Sequence, residues 1–83
     1  SAEQGQVIDA AEVVLLALRQ QNQVYLEKFG FIFIICATGK SASEMLALLE
    51  ERVNNRPDEE LANGAIEQGK IMNLRLSILL EDD

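Results

Sequence analysis

The sequence predicts an all-α fold, in which long helices pack as a bundle around one buried extended connection. Three observations carry this reading. Apolar residues recur at three-to-four spacing over most of the 83 residues. Two of the three periodic stretches open on recognisable helix-start signals. A single run, Phe29 to Ala37, has strand composition, and nothing else in the chain reads as a strand to pair with it.

The first helix is expected from about Ala2 to Phe29. Val7, Ala11, Val14, Leu18, Tyr25 and Phe29 share a stripe, with Ile8 and Leu15 beside them. Val13 and Leu16 widen the arc, which predicts a helix covered on more than one side. Gly30 is a natural stop. The run "GFIFIICA" follows, β-branched and aromatic. A second helix starts near Ser41, where "SASE" forms a capping box, and buries Met45, Leu46, Leu48, Leu49 and Val53. Asn54-Asn55-Arg56-Pro57 ends it, because a residue before proline disfavours helix. Pro57 opens the third helix, with Asp58, Glu59 and Glu60 in its first turn, and it runs to about Leu80. Its expected buried face is Leu61, Ala65, Met72, Leu76 and Leu79.

Composition narrows the function. The chain is short enough for one domain or part of one. Its net charge of −7 opposes nucleic acid and anionic membranes as partners, since both call for a basic face. The apolar run is far shorter than the roughly 20 residues that span a bilayer. A lone cysteine, Cys36, gives neither a disulfide framework nor a metal cluster, and it predicts a reducing, intracellular compartment. Histidine is absent, which removes the commonest general base and metal ligand.

Three features break the helical pattern. Arg75 falls inside the apolar arc of the third helix, next to Gln68; it either snorkels or pairs locally, or it clamps an anion. Glu3 and Gln4 sit one turn before Val7 and Ile8; they are either an ordinary helix start or polar groups on a functional face. The backbone of the apolar run needs hydrogen-bond partners that no sheet supplies. It is either a loop pinned by side chains or a binding wall of backbone amides. Cys36 itself reads as a small buried hydrophobe.

"KFGFIFIICATGK", Lys28 to Lys40, followed by "EMLALLEERVNNRPDEEL" and "AIEQGKIMNLRLSILL", closely resembles the OHCU decarboxylases, with the plant forms fused to a transthyretin-like domain especially near. The likeness covers essentially the whole chain. Its most distinctive pieces are the F-G-F-x-F-x-I-C-A run and the E-x-x-K-I-x-x-L-R-L pattern, here Glu67 to Leu76. The resemblance implies an all-α, cofactor-free, usually dimeric lyase. Such an enzyme decarboxylates 2-oxo-4-hydroxy-4-carboxy-5-ureidoimidazoline (OHCU) to (S)-allantoin in urate breakdown.

It also implies site residues. The family's Glu-Gln pair matches Glu3 and Gln4 as catalytic groups. Its backbone-lined substrate segment matches Phe33, Ile34, Ile35, Cys36 and Ala37, and its substrate-binding arginine matches Arg75; no metal ligand is implied. The family's serine stands three residues before the glutamate, whereas Ser1 stands two before Glu3, so the serine is not carried over. The family's histidine, in an H-P-D-L-like motif, belongs to an N-terminal half. Residues 1–83 are therefore expected to be the C-terminal part of one domain, with that half, a second copy, OHCU and allantoin as partners, in the cytoplasm or peroxisome. The alternative is a non-catalytic acidic helical interaction module.

Overall fold

The computed structural model describes residues 9–81. It comprises α1 (Ala10–Phe29), α2 (Ala42–Arg52) and α3 (Pro57–Glu81), with no strand among the described residues. The all-α expectation holds, and each helix follows from its boundary chemistry.

α1 starts later than its periodicity suggests. Asp9 has extended backbone (φ −78°, ψ 166°), and its side chain accepts from the Glu12 amide at 2.9 Å. An aspartate that satisfies a first-turn N–H stabilises a helix start by about 1 kcal/mol, so it sets the boundary that the apolar stripe ran through. Residues 2–8 of the expected helix lie outside the described residues. At the other end Gly30 takes φ 80° and donates its N–H to Leu26 O at 2.8 Å, the left-handed closure that glycine adopts without strain.

α2 opens on the expected capping box. The Ser41 hydroxyl accepts from Glu44 N–H at 3.1 Å, and Glu44 Oε1 accepts from Ser41 N–H at 2.8 Å. α3 begins at Pro57, and Glu59 reaches back to the Arg56 amide at 2.9 Å. The Arg56–Asp58 ion pair there is exposed and adds little to stability.

α1 lies along α2, whereas α3 lies alongside neither helix. α3 joins the others through its first turns and through residues 31–37, of which 32–37 run without helix, turn or bend between the bend at Gly30 and Phe31 and a turn closed by Lys40 N–H to Ala37 O at 3.0 Å. Gly39 stands in that turn at φ 74°. Residues of positive φ thus bracket the extended segment at both ends. The segment is half-buried rather than enclosed, and Ile32 is 66% exposed.

The molecule is a slab of 53 × 38 × 16 Å with a radius of gyration of 16.3 Å. A compact domain of this length would have about 12 Å. Tyr25 and Leu49 are the fully buried apolar residues. The face of α3 expected in the core is open: Leu61 is 64% and Leu79 63% exposed, with Met72 and Leu76 over half exposed and Ala65 also exposed. Val13, Leu15 and Leu16 of α1 are likewise exposed. The stripes were read correctly as apolar, but the described residues contain no element to cover them.

Ser41→Ala removes the reciprocal cap of α2. It is expected to lower the unfolding free energy by about 1 kcal/mol, read from urea denaturation followed by circular dichroism.

Candidate functional site

The site is assembled around a buried carboxylate. Glu60 is fully buried in the first turns of α3. Its Oε1 accepts from Tyr25 Oη (α1) at 2.5 Å and from Arg52 Nε (α2) at 2.8 Å. Its Oε2 accepts from Asn55 Nδ2 and from Asn63 Nδ2, both at 2.8 Å. Burial alone would push the Glu60 carboxyl up; the four donated hydrogen bonds outweigh it and hold the group below the usual carboxylate range. Tyr25 moves the opposite way: burial, and donation to an anion, raise its hydroxyl from 10.0 to about 12.

Arg52 carries the hub to the extended segment. Its Nη1 donates to Ile34 O at 2.8 Å, and its guanidinium lies 4.6 Å from the centroid of the Phe33 ring. That ring packs edge-on against Tyr25 at 5.3 Å, and Phe31 does so at 6.1 Å. Phe29, 4.5 Å from Tyr25, completes the aromatic cluster.

The far end of the segment is pinned by other side chains. Cys36 N–H donates to Glu67 Oε1 of α3 at 2.9 Å, and Lys40 Nζ donates to Cys36 O at 3.0 Å. The side chain of Glu67 is only 13% exposed, and its Oε2 takes Lys70 Nζ at 2.5 Å. The Lys70 bond first, then the Cys36 amide, hold the Glu67 carboxyl below its ordinary range. The amide and hydroxyl of Thr38 lower the Cys36 thiol. Both readings of the run therefore have a part in the structure: side chains pin it, and some of its amides stay open. The N–H groups of Phe33, Ile34, Ile35 and Ala37 meet no acceptor among the described residues.

Of the expected site residues, Phe33 to Ala37 lie together in this segment. Arg75 stands on α3 two turns beyond Glu67, about 12 Å along the axis. It is exposed beside Ile78 and Leu79 and makes no ion pair or hydrogen bond among the described residues. Glu3 and Gln4 lie outside the described residues. A shallow apolar groove of about 290 Å³ separates the segment from α3; Ile32, Ile34, Leu61 and Gly64 line it, with Glu60 beneath. The described residues hold no cluster of three or more His, Cys, Asp or Glu that could bind a metal, and no helix long and apolar enough to cross a membrane.

Sequence reading missed Glu60, Arg52 and Glu67 as site builders. Glu60 was credited only to the helix dipole. A usable signal was present: Glu60 and Asn63 stand three apart on one helix face, and Arg52 sits on the apolar stripe of α2 three residues after Leu49.

The fold and site define a class: an all-α scaffold that presents one extended, backbone-rich wall held by buried polar side chains. A family model of OHCU decarboxylases matches residues 1–77, and the chain belongs to the OHCU decarboxylase family. It is 52% identical over 68 residues to the uric acid degradation bifunctional protein TTL of Arabidopsis thaliana, an alignment covering 82% of this chain and 21% of that protein. To the 2-oxo-4-hydroxy-4-carboxy-5-ureidoimidazoline decarboxylase of Amia calva it is 35% identical over 75 residues, covering 90% and 42%. A crystal structure of OHCU decarboxylase in the presence of (S)-allantoin superposes with a TM-score of 0.82 at 44% identity, covering 96% of this chain and 57% of that one. The family expected from the motifs, and its closeness to the plant fused form, are borne out. The chain spans less than two thirds of the length of each of these relatives.

Removing the Glu60 carboxylate strands a buried guanidinium, so Glu60→Ala is expected to cost roughly 3–5 kcal/mol in urea unfolding. The pH dependence has two limbs. Glu60 is depressed in the fold, so its contribution is full above about pH 4.3 and is lost as pH falls through its lowered value. Tyr25 is raised, so its contribution is full below pH 10 and is lost between 10 and about 12. Urea midpoints measured across pH should lose the alkaline limb in Tyr25→Phe and the acid limb in Glu60→Gln.

Proposed function

We propose that residues 1–83 are the C-terminal part of a single OHCU decarboxylase domain, and that this part supplies the substrate-binding wall and its anion clamp. The observation that carries the reading is the segment 33–37: extended, unpaired, bracketed by two positive-φ glycines and held from behind by Arg52, Glu67 and Lys40. Rigid backbone donors suit a flat heterocycle rich in carbonyl and amide groups. Family membership supplies the substrate class.

In the proposed reaction the bond from the ring carbon to the substrate carboxylate breaks and CO₂ leaves. The electron pair is drawn into the ring C=N, leaving an enol across C4 and C5. The ring nitrogen takes a proton, another adds to C5, which bears the ureido group, and the C4 hydroxyl gives one up to become the carbonyl of (S)-allantoin. The amides of Phe33 to Ala37 and the guanidinium of Arg75 fix the ring and its ureido and oxo groups, which lowers the entropic part of the barrier. The same donors stabilise charge as it develops on the ring. Glu3, with a histidine from the rest of the domain, orders the surroundings of the carboxylate and handles the proton; Gln4 reads the ligand's amide edges.

The open apolar faces of α1 and α3 support the domain assignment over a free-standing interaction module. They fit a surface that the rest of the domain, and a second copy in a homodimer, would cover.

In the whole enzyme, Arg75→Ala and Glu3→Gln are each expected to lower kcat/KM for OHCU on the order of 100-fold or more, with the helical circular dichroism unchanged. Wild-type activity in both variants removes the assignment.

A further inference from the structure

The extended segment meets the protein by one edge. In extended backbone the N–H and C=O of one residue point to one side, and those of the next residue point to the other. Ile34 and Cys36 therefore share an edge, and that edge is held. Arg52 Nη1 binds Ile34 O, Glu67 Oε1 takes the Cys36 N–H, and Lys40 Nζ binds Cys36 O. Phe33, Ile35 and Ala37 share the opposite edge, where no N–H meets an acceptor among the described residues and only Ala37 O is bonded, by Lys40 N–H. On the held edge the Cys36 N–H is the one with an acceptor, that of Ile34 having none there either. The side chains alternate in agreement, since Phe31 and Phe33 both reach Tyr25.

We infer that Glu67 is a positioning residue for the decarboxylation: by taking the Cys36 N–H it fixes the register of the wall, so that the amides of Phe33, Ile35 and Ala37, and not that of Cys36, face the substrate. This rests on the reading of residues 33–37 as the substrate wall. Glu67 is placed to do it. Its carboxylate is largely buried, and its second oxygen is paired with Lys70 one turn along the same helix, which orients it toward the segment. A one-residue slip would exchange the two edges, and the wall would present Ile34 and Cys36 instead. Three residues divide the control: Arg52 fixes the start of the held edge, and at its end Glu67 takes the Cys36 N–H while Lys40 binds the Cys36 C=O.

The test uses the whole enzyme with OHCU as substrate and (S)-allantoin as probe. Glu67→Ala is expected to raise KM and the allantoin dissociation constant about tenfold or more while kcat falls less, and Glu67→Gln, which keeps an acceptor oxygen, to stay within about threefold of wild type. Equal KM in Glu67→Ala and wild type overturns the inference, as does an equal loss in both variants. Should Glu67→Ala fold poorly, amide exchange in the wild-type enzyme decides. Allantoin should slow exchange at Phe33, Ile35 and Ala37 at least tenfold and leave Cys36, already protected, unchanged. Ligand-induced slowing at Cys36, or at none of the three, overturns it. Amide exchange separates the two levels: no slowing by allantoin at Phe33, Ile35 and Ala37 removes the wall itself, whereas slowing there with an indifferent Glu67→Ala removes only the positioning role.

Discussion

A buried carboxylate needs donors, and Glu60 has four. That requirement organises everything else. A desolvated anion without partners would cost several kcal/mol, so each donor is held where it stands by the charge it satisfies. The donors come from α1, α2, the α2–α3 connection and α3 itself. Among the described residues no apolar core of comparable reach joins these elements, because α3 lies alongside neither of the other helices. The angle between α3 and the α1–α2 pair is therefore set by polar geometry, which is directional, rather than by apolar packing, which is not.

The same hub explains how residues 31–37 stay extended without a sheet. Arg52 uses one face of its guanidinium on the Phe33 ring, one nitrogen on Glu60 and another on Ile34. Its planar fork can serve three partners at once, which a lysine could not. The segment's apolar side chains seat it on Tyr25, and its backbone is left for other use. In a chain of net charge −7, it is the open backbone amides and Arg75 that, on the proposed reading, would attract an electron-rich, anionic ligand.

Much of this was legible in the sequence. The three helices and their order follow from periodicity, and the ends of α2 and the start of α3 follow from Ser41, Glu44 and Pro57, because capping chemistry is local. The start of α1 was misplaced because an uninterrupted apolar stripe outweighed Asp9, whose cap is a single hydrogen bond. The run 33–37 announced itself by having no partner. The hub did not. Tyr25 and Glu60 are 35 residues apart, and nothing in either local pattern says that one will meet the other. Burial of the α3 stripe was also overread. Periodicity reports which face is apolar, and only a neighbour decides whether that face is covered.

The length of α3 gives the hub influence at a distance. Glu60 fixes the helix near its first turn, and Arg75 stands 15 residues on, about 22 Å along the axis. Glu67 holds the helix again through the Cys36 amide, which leaves a free arm of about 12 Å to Arg75. A tilt of about 5° about that second hold would sweep the far guanidinium through about 1 Å, and displacements of 1 Å can cost a hundredfold in rate. A change at Tyr25, Asn55 or Asn63 that barely alters stability could therefore reach the proposed substrate clamp, although none of the three touches it.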